Sequence, residues 1–348
     1  MTPSNYPTNL NQVPSPTTLL GMIRSYQISQ CIYIVAKLKI ADLLKDGEQH
    51  SDTLAIATNT NKDAIYRLLR TLASFGIFAE TKPHYFCLTP LATYLQSNVP
   101  NSLNAYAIMS GEEHYQTWGN LMFSIQTGEN AFENLYGMNI YEFLQQNPVP
   151  AKTFDQAMTE FSGIVNPTIL CSYNFSSIRK LVDVGGGNGR LLSSILQAYP
   201  NMTGVLFDRP NVIDRASDFL VSMGVKNRLQ LAKGDFFKAI PTGGDAYMMK
   251  HIIHNWGDEE AIAILKNCYQ TMGEQAILLI VEIVIPPGND PFMGKFIDMN
   301  MLIMTPGGRV RSETEYRKLL KTTGFKLTKI VPIESELSII EAVKDREI

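Results

Sequence analysis

Residues Lys180–Leu192 read KLVDVGGGNGRLL, an apolar β-branched run that breaks into glycines and resumes as an apolar helix. A strand that turns through glycines straight into a helix opens a βαβ unit and commits the following chain to a parallel sheet. The rest of the chain obeys that commitment. Short β-rich runs (TGVLFD, RLQLAKGD, DAYMMK, AILLIVEIVI, FKLTKIVPI, LSIIEAVK) alternate with helical ones (RLLSSILQAY, DRASDFLVSM, DEEAIAILKNCYQTM, ETEYRKLLKTTG). The fold class expected over 178–348 is therefore α/β, a doubly wound Rossmann-like sheet. The last two strands are joined by too few residues for a crossover, so the final strand is expected to run antiparallel.

Upstream the period is different. Residues 17–100 carry apolar residues at intervals of three and four, as in DAIYRLLRTLASFGIF, with Asn61 or Asp63 as a cap and Gly76 as a stop. IFAETKPHYFCLTP then reads as a short hairpin turning near Lys82-Pro83. Helices followed by a hairpin make a winged-helix-like domain. A DNA-reading version needs a basic recognition helix. Lys62, Arg67 and Arg70 are offset here by Asp63 and a dense apolar face, so packing or dimerisation is the favoured role. Residues 101–177 are expected to form a helical linker and substrate-pocket region, rich in aromatics and Met. The first 16 residues, polar and proline-rich without the pattern of a signal peptide, are expected to be a loose tail.

Composition removes several classes. A net charge of −3 gives no basic field for nucleic acid or an anionic membrane. The longest apolar run, Ala276–Pro287, is interrupted by Glu282 and is too short to span a bilayer. Four cysteines, far apart and without a CxxC, suit a reducing, cytoplasmic setting and provide neither a disulfide frame nor a zinc site.

In a doubly wound sheet the ligand lies over the carboxyl ends of the strands, beside the first strand–helix turn. A P-loop needs Lys and Ser or Thr after its last glycine, and Arg190-Leu191 follow here. A dinucleotide fingerprint needs glycine at position 190, which Arg190 occupies. The pattern present is D-x-G-x-G-x-G, from Asp183 through Gly185, Gly187 and Gly189. Its glycines let a ligand approach the backbone, and its carboxylate suits an ammonium or sulfonium better than a pyrophosphate. Asp208 ends the second strand, where a carboxylate holds ribose hydroxyls. Asp235-Phe236 follow the third, offering an acceptor and an apolar wall to an adenine. The inferred ligand is an adenosine with a cationic amino-acid tail, S-adenosylmethionine.

The segments VDVGGGNG, FDRPNVI, GDFF, MKHIIHNWGDEE, VEIVIPP and MLIMTPGGRVRSETEY, in this order and spacing, resemble the S-adenosylmethionine-dependent class I O-methyltransferases of the caffeic-acid and hydroxyindole type. The resemblance runs from about Leu19 to Val343, and LAIATNTNKDAIYRLLRTLASFGIF is similar to the family's winged-helix dimerisation domain. It implies a homodimer that methylates an aromatic hydroxyl in secondary metabolism and releases S-adenosylhomocysteine, without a metal. It implies cofactor contacts at Gly185–Gly189, Asp208, Asp235, Phe236 and Lys250, with Trp256 packing against the adenine. His254 matches the general base and Glu282 a carboxylate beside it. By position, Trp118, Met158, Phe161, Met301 and Met304 are candidates to line the acceptor site.

Two positions depart from the family pattern. Asn255 stands where the plant enzymes commonly have Asp, and Val310 where many have a second glutamate. If that glutamate orients the base, His254 here has Glu282 alone. His251, three residues before His254, raises a metal pair, but two histidines without a third ligand nearby are weak grounds for one. Three readings follow: O-methylation of an aromatic small molecule; the same fold and cofactor with N- or C-methylation or a non-methylating tailoring reaction; and a cofactor-sensing winged-helix regulator.

Overall fold

The computed structural model describes residues 15–346, which divide into two compact units. One comprises the chain up to Gly119 with Tyr141–Gly163, the other Asn120–Ile140 with everything from Ile164 onward.

In the first unit Ser15 caps a helix that starts at Pro16, with proline at the position where a missing N–H costs nothing. The helix Lys62–Ala73 is capped by Asn61, whose side chain accepts from Ala64 N at 3.0 Å. Its buried face, Ile65, Leu69 and Leu72, packs with Val35, Ile40, Leu54, Phe78 and Phe86. Gly76, at φ 73°, ends the segment. The hairpin follows as β2 (Phe78–Lys82) and β3 (Tyr85–Leu88), and a two-residue strand β1 (Gln49–His50) pairs with β3. Lys62 is paired with Asp52 at 2.9 Å and Lys82 with Glu48 at 2.7 Å, so two of the cations on this face already have carboxylate partners.

The second unit is built on strands β4 (Lys180–Val184), β5 (Thr203–Asp208), β6 (Leu229–Lys233), β7 (Ala246–Lys250), β8 (Ile277–Ile285), β9 (Arg311–Ser312), β10 (Phe325–Pro332) and β11 (Leu337–Lys344). The sheet order is β10-β11-β8-β7-β4-β5-β6, with β9 pairing in parallel to β8. The final strand β11 is antiparallel to both its neighbours, β8 and β10. The strand order reverses at β4, between β5 and β7, which places the crevice over the carboxyl ends of those three strands. β8, with its Glu282, is one of the central strands of this sheet, and its core includes Leu278, Ile280, Val205, Tyr247 and Ile340. Among the described residues no helix is long and apolar enough to cross a membrane.

Candidate active site

The loop after β4 is shaped by backbone conformation. Gly185, Gly187 and Gly189 have φ of 71°, 61° and 78°, a region that costs a residue with a Cβ roughly 1–2 kcal/mol. Gly186 is constrained by space instead: a Cβ there would lie 2.5 Å from both Asp183 Oδ2 and Leu206 Cδ1. The four glycines thus serve two different needs. The Asp208 carboxylate at the end of β5 grips this loop, accepting from Gly187 N at 2.9 Å and Arg209 N at 2.7 Å. Burial raises its pKa, and those two N–H donors oppose the shift.

Beneath the loop, Asp183 is only 2 % exposed. Burial pushes its carboxyl up to about 7, with Lys250 drawing it back and Asp208 adding to the rise. Lys250, at the end of β7, is pushed down to about 8 by burial, with Asp183 opposing that shift and Arg190 adding to it. Its ammonium donates to Asn166 Oδ1 at 3.1 Å. Burial thus disfavours the charged form of both groups.

Phe236 and Trp256 meet edge-on at 6.3 Å, and Phe237 meets Trp256 at 4.8 Å. Asp235 accepts from Phe237 N at 2.9 Å. Asn267 donates to the carbonyls of Phe236 and Phe237 at 2.9 and 2.8 Å, fixing that corner. Neither Asn166 nor Asn267 was legible in the sequence. Each acts across a large sequence separation, and no local pattern marks a lone asparagine.

His254 sits on a single turn, Ile253–Asn255, just past β7. Its Nδ1 lies 2.9 Å from Glu282 Oε2, and Glu282 is fully buried. The ring N–H is angled away from that oxygen, so this is a close approach short of an aligned hydrogen bond. The other oxygen, Oε1, accepts from the His254 backbone N–H at 3.2 Å. His251 is also brought in: its ring centroid is 5.1 Å from that of His254, and the ligand atoms of His251, His254 and Glu282 all lie within 4.8 Å of one another. Glu282 thus adds a donor that sequence spacing did not offer the two histidines, and the three form a group that could hold a metal ion. Burial and the neighbouring His254 and Lys250 hold His251 well below the ordinary histidine range.

The two departures from the family pattern take definite places. Asn255 Nδ2 donates to His251 O at 2.8 Å, a bond an ionised Asp could not make. Val310 is buried, and its N–H goes to Asp298 Oδ1 at 2.8 Å. The residues on either side of Val310 do the holding: Arg309 N donates to His254 O at 2.8 Å, and the Arg311 guanidinium reaches the same turn. Glu282 is therefore not alone in fixing His254. Met301 and Met304 are buried on the helix Gly294–Met304 of this unit. Trp118, Met158 and Phe161 belong to the other unit, where Met158 packs on Ala105, Met109 and Ala157 and Phe161 stacks on Tyr106 at 6.1 Å.

The model of the O-methyltransferase domain matches residues 118–326, and that of the O-methyltransferase dimerisation domain matches residues 20–98. The chain belongs to the O-methyltransferase family. It is an S-adenosylmethionine-dependent methyltransferase. Among its relatives is a phenazine O-methyltransferase of Lysobacter antibioticus, 40 % identical over 95 % of this chain and 96 % of that one. The crystal structure of N,N-8-amino-8-demethyl-D-riboflavin dimethyltransferase from Streptomyces davawensis matches with a TM-score of 0.84 and 32 % identity over 95 % of this chain and all of that one. An O-methyltransferase from neocarzinostatin biosynthesis, solved with S-adenosylmethionine and 2-hydroxy-5-methyl naphthoic acid, matches with a TM-score of 0.81 and 27 % identity over 96 % of this chain and 99 % of that one.

Proposed function

We propose that this methyltransferase transfers a methyl group to a hydroxyl of an aromatic small molecule in secondary metabolism, with His254 as general base and Glu282 as its orienting carboxylate. The observation that carries the reading is the buried His254 Nδ1–Glu282 Oε2 contact of 2.9 Å at the carboxyl end of the sheet. Nδ1 lies beside the carboxylate without an aligned hydrogen bond; a small rotation of the ring that closes it would leave Nε2 as the nitrogen to take a substrate proton. A phenol near pKa 10 is a poor match for a histidine near 6.5, and a carboxylate on the far nitrogen narrows the gap. Bound S-adenosylmethionine supplies an electrophilic methyl on a cationic sulfur. The protein's own work is then to hold the acceptor oxygen in line, exclude water and receive one proton at His254 Nε2.

No metal enters this reading. Donors to one zinc ion at about 2.1 Å each stand about 3.4 Å apart in a tetrahedron, and Nδ1 and Oε2, 2.9 Å apart, are closer than that. The acceptor class draws support from the relatives: one is named for phenazine and another was solved with a naphthoic acid. The dimerisation domain match over 20–98 supports a homodimer through that region.

Replacing His254 by Ala should lower kcat for a hydroxyl acceptor by about 10²–10⁴, while S-adenosylhomocysteine still binds. A rate within a few fold of the parent would remove His254 as the base. A second reading, methylation of nitrogen, is favoured by the riboflavin-type N,N-dimethyltransferase among the structural matches. Presenting paired phenol and aniline acceptors with labelled donor separates the two by which product carries the label.

A further inference from the structure

We propose that Arg311 is a positioning residue for the base, its guanidinium setting the pitch of the turn that carries His254; this rests on the reading of His254 as the base. Arg311 is 1 % exposed, and a buried guanidinium is tolerated only when its donors are matched. The matches are specific. Nη1 donates to Ile253 O at 3.1 Å and Nη2 to Trp256 O at 3.0 Å, so one planar group spans the turn from its first carbonyl to the residue just beyond it. Asp258 Oδ1 accepts from Nη2 at 2.7 Å and from Nε at 3.1 Å, fixing the plane of the fork. Between those two carbonyls, His254 O is taken by Arg309 N.

The grip has one origin. Arg311 lies on β9, opposite Val284 of β8. Two residues earlier on β8, Glu282 accepts the His254 N–H. The same strand therefore holds the base turn from both sides, by a carboxylate on the N–H and, through β9, by a guanidinium on the carbonyls. Gly308 completes the fit, since a Cβ there would meet the Thr305 hydroxyl first and would also come within 2.7 Å of His254 O and 3.0 Å of the Asn255 carbonyl carbon. Arg311 touches neither the imidazole nor Glu282 through any bond described above. Its effect on chemistry must pass through the backbone of His254, and that gives it a signature.

Lysine keeps the charge but cannot bond two carbonyls with a fixed fork. Arg311→Lys should lower kcat about 10–100-fold, because displacements near 1 Å cost about that much, and it should leave the S-adenosylhomocysteine Kd within about threefold. Guanidinium added to Arg311→Ala should restore part of the rate. In a His254→Ala background, Arg311→Lys should change the residual rate by less than about twofold, since the group it positions is gone. Gly308→Ala, with the guanidinium intact, should show the same dependence on His254 and serves where Arg311 variants fold poorly. An unchanged kcat in folded Arg311→Lys, or an equal loss with and without His254, overturns the positioning role while leaving the base in place. Full activity of His254→Ala overturns the base reading itself.

Discussion

The loop after β4 and the turn after β7 stand at the ends of neighbouring strands, and they are finished in opposite ways. The backbone of the turn is satisfied by the protein. The His254 N–H and the carbonyls of Ile253, His254 and Trp256 all have partners supplied by Glu282, Arg309 and Arg311. The loop is left unbalanced. Asp183 beneath it is pushed toward neutrality by burial, and so is Lys250 beside it. On the proposed reading, the turn that carries the base is built in advance by the chain, and the loop that binds and releases a charged ligand is left for the ligand to complete.

The sharpest way to break the comparison is on the turn. Glu282→Gln keeps an oxygen for the His254 N–H, so the backbone stays held. It also presents an amide N–H2 to Nδ1, which drives the imidazole proton to Nε2 and blocks it as an acceptor. We expect kcat to fall by about 10²–10³ with the S-adenosylhomocysteine Kd little changed. A small kcat effect would mean that the carboxylate serves only the backbone.

The next largest effect belongs to the loop. Gly186→Ala needs no unusual φ, but its Cβ would meet the Asp183 carboxylate and Leu206 at 2.5 Å. Asp183 is short and sits on a buried strand, so it cannot swing clear. Displacing that carboxylate should weaken S-adenosylhomocysteine binding about 10–30-fold, a cost of roughly 1.4–2 kcal/mol, and change kcat at saturating donor by less than about threefold. Isothermal titration alongside saturation kinetics measures both. A larger fall in kcat than in affinity would show that the two regions are not separable.

The contrast also explains what the sequence made legible. Loop chemistry is written locally: three glycines with positive φ and an acidic residue two places before them stand within seven positions, Asp183–Gly189. The parallel sheet and its antiparallel last strand follow from run lengths and connection lengths. His254 and Glu282 were reached by resemblance and by the oddity of a carboxylate in an apolar strand. The supports of the turn were not legible. Arg311 reads as an ordinary cation before a helix cap, and only the pairing of β9 with β8 reveals that it is buried. Val310 marked that segment as a departure, but the contacts to the turn come from the Arg309 backbone and the Arg311 guanidinium beside it, where no side-chain pattern records them.

The smallest effect tests the loop by titration. Asp183 has its carboxyl raised from 3.8 to about 7, so in the cofactor-free protein its protonated form is favoured over that range. The stability it lends is complete below about pH 3.8 and is lost as the pH rises through 7. Lys250 is lowered from 10.5 to about 8, so its contribution is present above 10.5 and is lost as the pH falls through 8. Between pH 7 and 8 both are mostly charged and neither helps the empty fold. That is where a ligand with an ammonium and a carboxylate finds both partners ionised. S-adenosylhomocysteine affinity should therefore peak between pH 7 and 8, falling by at most about tenfold per unit toward acid as Asp183 takes a proton. The ligand-induced rise in Tm should peak in the same window, and Asp183→Asn should flatten the acid limb. An affinity constant between pH 5.5 and 7 in the parent would mean that Asp183 never meets the ammonium, and the loop would then be as self-sufficient as the turn.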